Sequence, residues 1–342
     1  MKLPVMTSEV ESVIKPVYAV GGCVRDFMLG KDPKDYDYCT PLLPDDVERQ
    51  VKLAGKRAHT SGKRFGTIAM TVYSELVEIT TFRTEVYGKT RKPEVKFVDS
   101  ISKDLVRRDF TINAMAMRGQ RLIDPFGGKN DLKDGIIRAV GNPSKKFAED
   151  PLRMLRAVRF ASELGFEIEP ETLKAIQKNA FRILEVSKES WMVELDKMLL
   201  GDYILEGLGA LLDSDLAMFV MPEFRLQNDY DQNSDYHAFA LDLHTIATVS
   251  LLPKDITLRW AAFLHDIGKP FVRVENKRGT SNYMHHQVVG AEIVYGIAKR
   301  MKWSNDRTAK VCDLVRSHLQ DESPLRAADN ESKKSIPGGE KK

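Results

Sequence analysis

The chain has 342 residues, too many for one ordinary core, so two or more domains are expected. Hydrophobic residues make up 42% and charged residues 30%, a soluble globular balance, and no run of about 18 apolar residues occurs, so no membrane span is expected. The net charge of +3 is compatible with a nucleic-acid partner but does not argue for one.

In chain order, "MKLPVMTSEVESVIKP" lacks the charged segment and apolar core of a secretory signal. "PVYAVGG" is a short β-rich run ending in glycines, and "VRDFMLG" then has helical spacing, closed by Gly30. "GTIAMTVY" and "ELVEITTFR" read as adjacent strands joined by a short Ser-containing turn. "YGKTRKPEVKFVDS" has little periodicity and reads as a mobile basic loop. From Phe147 onward "DPLRMLRAVRFASELG", "PETLKAIQKNAF" and "KESWMVELDKMLLG" are helical, with Pro or Gly near their ends. A second change of composition comes at "NDYDQNSDYHAF", before a His-containing helical region, and "SPLRAADNESKKSIPGGEKK" is polar and reads as disordered. The expected fold class is α+β: a head with a small mixed sheet over 1–140, then an all-α remainder. That remainder divides into a neck over 141–200, a body over 201–235, a His-rich domain over 236–322 and a tail over 323–342. Cys23, Cys39 and Cys312 are odd in number and form no C-x-x-C pair, which fits reduced thiols in a cytoplasmic protein and argues against structural zinc.

Two short patterns carry chemistry. In "DYD", Asp35 and Asp37 alternate with Tyr36, so in a strand both carboxylates face one side. Carboxylates that close repel unless a cation lies between them, and Mg²⁺ shared with substrate phosphates is the usual solution. Gly21 and Gly22, just before a helix, bring backbone N–H groups toward an anion, and Arg25 follows at a spacing suited to a phosphate oxygen. Singly, a solvated acidic loop and a plain turn explain these motifs as well; the ordered set favours chemistry.

"GGCVRDFMLGKDPKDYDYCT" resembles the signature of class II tRNA nucleotidyltransferases and bacterial poly(A) polymerases, within the polymerase-β-like nucleotidyltransferase superfamily. The resemblance implies a two-metal site at Asp35 and Asp37, with Glu78 of "LVEITTFR" as third carboxylate. "FRTEVY" (Arg83, Glu85, Tyr87) resembles the flexible-loop element needed for the final A addition. "DLVRRDFTINAMA" resembles the ribose-recognition motif, with Arg108, Asp109 and Asn113; an N-cap at Asp109 is the other reading. "AEDPLRMLRAVRF" resembles the nucleotide-choosing motif, with Glu149, Asp150, Arg153 and Arg156. Asp150 and Arg153, three apart on one helix face, would mimic a Watson–Crick edge; an ordinary salt bridge is the alternative. The chain departs from the family at Ser190, where an Arg is usual, while Glu194 and Lys197 are in place.

"LHTIATV", "AAFLHDIGKP" and "HHQVVGAEI" resemble the His-bearing segments of an HD phosphohydrolase domain. His244, His265, Asp266 and His286 are the implied metal ligands, for Ni, Mn or Co; His285 is the alternative to His286, and His318 of "LVRSHLQD" also recurs. Imidazoles beside a carboxylate suit a divalent ion that lowers the pKa of water. The resemblance implies CCA addition to the tRNA 3′ end from CTP and ATP with Mg²⁺, with no obligate protein partner. It further implies 2′,3′-cyclic phosphodiesterase, 2′-nucleotidase or phosphatase activity in the His-rich domain, or a structural role only. A poly(A) polymerase, an A-only enzyme, and an HD phosphohydrolase with an inactive head remain as alternatives.

Overall fold

The computed structural model describes residues 3–86, 88, 94–233, 239–320 and 323–333. The chain forms two compact units, Met1–Asp150 and Pro151–Lys342, so the break falls after the expected position at 140.

The first unit contains α1 (Leu3–Val13), β1 (Tyr18–Val20), α2 (Gly22–Met28), β2 (Tyr36–Thr40), α3 (Pro44–Leu53), β3 (Ala58–His59), β4 (Thr67–Val72) and β5 (Glu75–Thr81). It continues through β6 (Arg83–Val86), β7 (Glu94–Phe97), α4 (Ile101–Val106), β8 (Ala116–Arg118), β9 (Arg121–Ile123), α5 (Gly128–Asp134) and α6 (Pro143–Glu149). Seven strands form one sheet in the order β3-β4-β5-β2-β1-β8-β9. Only the β2–β5 pair is parallel; the other neighbours run antiparallel.

Period-two alternation gives this sheet its two faces. Tyr36 and Tyr38 on β2 pair with Val77 and Ile79 on β5, which pair in turn with Met70 and Ile68 on β4. All six are buried, and α1 and α3 pack on these strands, with Thr7 Oγ1 3.2 Å from the Tyr38 hydroxyl. Burial of each such side chain contributes roughly 1.5–3 kcal/mol. Cys39, on the opposite face, joins Val20, Phe82, Leu105 and Ala116 in a second core cluster. Tyr73 and Ser74, both at positive φ, make the tight turn between β4 and β5.

The basic segment expected to be a mobile loop is in part a strand: Glu94–Phe97 pairs antiparallel with β6. Its Val and Phe alternate with Glu and Lys, a pattern too short to stand out beside its Lys, Arg and Pro neighbours. Residues 87 and 89–93, Tyr87 among them, lie outside the described residues.

The second unit is built from α7 (Leu152–Leu164), α8 (Pro170–Asn179), α9 (Lys188–Leu199), α10 (Ile204–Asp213), α11 (Ala217–Val220) and α12 (Pro222–Arg225). Then follow α13 (Leu241–Ser250), α14 (Ile256–Leu264), α15 (Lys269–Val272), α16 (His286–Arg300), α17 (Asn305–Ser317) and α18 (Pro324–Ser332). A small hairpin, Val274–Glu275 with Ser281–Asn282, interrupts what the sequence suggested was all helix. α7 packs on α9 and α10, α13 on α14 and α18, and α16 on α17. Buried Arg159 on α7 lies 2.9 Å from Glu194 on α9. Arg259 is likewise buried, and its guanidinium donates to the carbonyls of Leu199, Gly201, Leu252 and Pro253 at 2.6–3.1 Å. A fixed charge among carbonyls that helix ends leave without partners satisfies both.

The tail is a correction. Residues 323–332, expected to be disordered, form α18, capped by Ser323, whose hydroxyl accepts from the Arg326 N–H at 3.3 Å. Leu325, Ala328, Asp329 and Ser332 are its buried positions, a helical spacing hidden by the polar composition around it. Residues 334–342 lie outside the described residues.

Candidate active sites in the two units

In the first unit, Asp37 on β2 is in register with Glu78 on β5. Paired residues of neighbouring strands point to the same face, so the two carboxylates stand side by side, opposite the buried tyrosines. Asp35 lies just before β2, one alternation back from Asp37, and all three residues are exposed. Desolvation by its surroundings raises the Asp37 carboxyl above its ordinary value; Arg108 opposes this, and the charges of Glu78 and Asp35 add to it. Mutual repulsion of this kind is what a cation relieves.

At the mouth of α2, Gly21 is the N-cap at φ 78° and ψ −135°, a conformation open to glycine. A Cβ there would stand 2.8 Å from Nη1 of Arg108. Arg25 donates to Asn113 Oδ1 at 2.8 Å, and Asn113 Nδ2 donates to Asp109 Oδ1 at 3.2 Å. Asp109 also accepts from the Phe110 N–H at 2.8 Å, so it orients the Asn113 amide and is no N-cap. Arg25, singled out for phosphate, and Asn113 and Asp109, singled out for ribose, thus form one hydrogen-bonded chain. Buried Asp104, which the sequence reading passed over, anchors the neighbourhood: it accepts from Arg107 Nε at 3.0 Å and from the Arg83 N–H at 3.2 Å, and Arg108 Nη2 lies 3.4 Å away. Arg107 also donates to Glu85 at 2.8 Å, tying down the described part of the expected flexible loop.

Asp150 and Arg153 do not share a helix face. Asp150 ends α6 in extended geometry, φ −144° and ψ 101°, and α7 begins at Leu152. Pro151 is the cause, because a residue before proline is pushed out of the helical region. Arg153 is buried on α7, and Arg156 lies 3.9 Å from Glu194.

In the second unit, the histidine site is tightly assembled. Two sets of groups have their ligand atoms within 4.8 Å of one another: His244, His265, Asp266 and Asp329, and Asp266, His286 and His318. The expected single set of His244, His265, Asp266 and His286 is divided by the structure between two that share Asp266. His285, by contrast, is exposed at positive φ at the start of α16. Asp329 and His318 complete the sets. Asp329 was missed because it sits in the segment read as disordered; the buried helical spacing of α18 was the signal available.

The donor chemistry fits divalent metal. The Nδ1 atoms of His265, His286 and His318 face the backbone carbonyls of Ala262, Tyr283 and Val315 at 2.7, 2.8 and 2.7 Å. A carbonyl only accepts, so each Nδ1 carries a proton, and a ring that holds no second proton presents an Nε2 lone pair. Yet Nε2 of His244 is 3.2 Å from that of His265, and Nε2 of His286 is 3.3 Å from that of His318. Asp266 Oδ2 is buried, with Lys269 Nζ at 2.7 Å and His265 Nε2 and His244 Nε2 at 3.1 and 3.2 Å. Converging lone pairs are a costly arrangement that a cation resolves. Burial would raise the Asp266 carboxyl, but His265, Lys269 and His244 hold it well below the ordinary value. Burial, followed by the charge of His265, pushes His318 down to about 4. Beside the cluster opens a cavity of about 640 Å³ whose lining includes Lys269, Arg278, Tyr283 and Lys333.

Gly268 seats α15 against α16. A Cβ there would lie 2.2 Å from the His286 carbonyl oxygen. Gly268→Ala is therefore expected to destabilise the second unit by about 1–3 kcal/mol, read as a lower denaturation midpoint; an unchanged midpoint would contradict the contact.

The site geometry and fold define a chain with a polymerase head and an HD domain. Residues 17–138 match the family model of the poly A polymerase head domain, 165–227 that of the probable RNA and SrmB-binding site of polymerase A, and 239–336 that of the HD domain. The CCA-adding enzyme of Bacillus stearothermophilus, solved in complex with CTP, superposes with a TM-score of 0.63 at 30% identity, covering 96% of this chain and 82% of that one. The CCA-adding enzyme of Lactiplantibacillus plantarum is 44% identical over 214 residues, 62% of this chain and 52% of its own length. That of Bacillus subtilis is 40% identical over 242 residues, 70% of this chain and 60% of its own. The chain belongs to the family of CCA-adding enzymes, and it spans between half and two thirds of the length of these two curated relatives.

Proposed function

We propose that the chain extends the 3′ end of tRNA with C and A residues from CTP and ATP, without a nucleic-acid template. The observation that carries this reading is the register of Asp37 with Glu78, beside Asp35. These three carboxylates would hold Mg²⁺, which when bound stabilises the in-line displacement of pyrophosphate by the ribose 3′-hydroxyl. The backbone of Gly21 and Gly22 and the guanidinium of Arg25 hold the triphosphate. Asp109 and Asn113, coupled to Arg25 through hydrogen bonds, engage the ribose hydroxyls. Base choice we assign to Asp150 and Arg153 on their motif alone, and the closing of the site for the final A to the element of Arg83, Glu85 and Tyr87. Tyr87 is carried by the sequence only. The free, buried state of Cys23, Cys39 and Cys312 supports a reducing compartment such as the cytoplasm.

The test uses tRNAs ending before C, after CC and after CCA, with labelled CTP or ATP and Mg²⁺. Stepwise addition that stops after the terminal A is the expected result. Long A tails on generic RNA would instead support a poly(A) polymerase.

A second activity is favoured by the histidine cluster and its adjoining cavity. His244, His265, Asp266 and Asp329 would hold one divalent ion, and Asp266, His286 and His318 another, with Ni²⁺, Mn²⁺ or Co²⁺ as candidates suited to imidazole. Metal bound there supplies Lewis acidity for hydrolysis of a phosphate ester. Lys269, 2.7 Å from Asp266 and 4% exposed, places a buried cation where the cavity meets the cluster. A 2′,3′-cyclic nucleotide is the substrate we assign, with hydrolysis dependent on added metal and lost in Asp266→Ala.

A further inference from the structure

His244 differs from the other three histidines of the cluster. Their Nδ1 atoms face backbone carbonyls, whereas His244 Nδ1 lies 3.1 Å from the hydroxyl of Ser332 on α18. A hydroxyl both donates and accepts, so the direction of this bond follows from its neighbours. Thr248 Oγ1 donates its single proton to the His244 carbonyl at 2.9 Å. Ser332 Oγ lies 2.8 Å from that same Thr248 Oγ1 and 2.9 Å from the Asp329 carbonyl oxygen. When the one Ser332 proton goes to either of these atoms and not to Nδ1, a lone pair of Ser332 faces His244 and Nδ1 is the donor. Nε2 of His244 then presents its lone pair toward Asp266 Oδ2 at 3.2 Å and Asp329 Oδ1 at 3.3 Å, among acceptors that only a cation or a proton reconciles.

We propose that Ser332 is a positioning residue that selects the metal-binding tautomer of His244. This rests on the metal reading of the HD site given above. Ser332 is fully buried and lies three residues beyond Asp329 on the same helix, so α18 supplies both a ligand and the group that orients another. Without the Ser332 acceptor, the tautomer with its proton on Nε2 gains, because the carboxylates accept that proton, and that tautomer does not ligate. The penalty therefore falls more heavily on the metal-loaded protein than on the metal-free one.

The experiment is Ni²⁺ binding by titration calorimetry on the full chain, counting the component that Asp266→Asn removes, together with thermal unfolding of the metal-free protein. Ser332→Ala is expected to weaken that component about 10–100-fold while shifting metal-free unfolding little, and Ser332→Thr, which keeps the hydroxyl, is expected to restore most of the affinity. Equal affinity in Ser332→Ala and the parent chain overturns the proposal, as does a Ser332→Thr protein that binds as weakly as Ser332→Ala. If Asp266→Asn removes no component of Ni²⁺ binding, the metal reading itself is overturned, and the proposal with it.

Discussion

Replacing Asp37 by Asn is expected to lower nucleotide incorporation by at least about a thousandfold, or about 4 kcal/mol of transition-state stabilisation. The substitution keeps the shape of the side chain and removes one charge from the group formed with Glu78 and Asp35. Since burial, with the charges of Glu78 and Asp35, pushes the Asp37 carboxyl up against the pull of Arg108, neutralising it relieves a net electrostatic cost. The protein should therefore unfold at the same temperature as the parent or a higher one. Single-turnover incorporation of CTP on a tRNA lacking its 3′ CCA reads the first effect, and a thermal melt the second. Incorporation within tenfold of the parent would remove Asp37 from the reaction, and a lower melting temperature would mean that the carboxylate supports the fold.

Loss of Asp329 is expected to be nearly as severe for the second site. Asp329→Ala removes one of four ligands from the set with His244, His265 and Asp266. Hydrolysis of a 2′,3′-cyclic nucleotide with Ni²⁺ should fall by at least about a hundredfold, since even partners outside the coordination shell cost 10–100-fold. Truncation after Gln320 should have the same effect by removing α18. Incorporation of CTP by these variants serves as the control for folding. Hydrolysis unchanged in Asp329→Ala would confine any active centre to Asp266, His286 and His318.

Much of the first site was legible because it depends on local periodicity. The alternation of Asp35, Tyr36 and Asp37 and the glycine pair before α2 follow from backbone geometry within a few residues. What such a pattern lacks is the partner strand. Glu78 comes opposite Asp37 only because β2 and β5 pair in parallel, and parallel pairing is set by a crossover and a shared core. The bond from Arg25 to Asn113 likewise joins residues 88 positions apart. Motif order suggested that both belong to one substrate site, and tertiary structure supplies the hydrogen bonds between them.

Local rules also explain two of the errors. Helical spacing between Asp150 and Arg153 ignored Pro151, although the restriction that proline places on its predecessor is a sequence-level rule. The 323–342 segment was judged on average polarity, which hid the four buried positions of α18. An amphipathic helix needs only one apolar stripe, and here Asp329 and Ser332 lie on the buried side because the cluster uses them.

By itself, the sequence determined the order of the parts: a glycine turn before a helix, an acidic pair on a strand, helices after Phe147, and histidines next to an aspartate. Those properties depend on neighbours within a turn or a strand repeat. The tertiary structure set Glu78, the carboxylate that the family resemblance implied, in register with Asp37, and it alone decided how the buried His and Asp side chains divide into two sets around Asp266 and that α18 closes one of them. Each of these is a meeting of residues far apart in the chain, brought about by sheet register and helix packing.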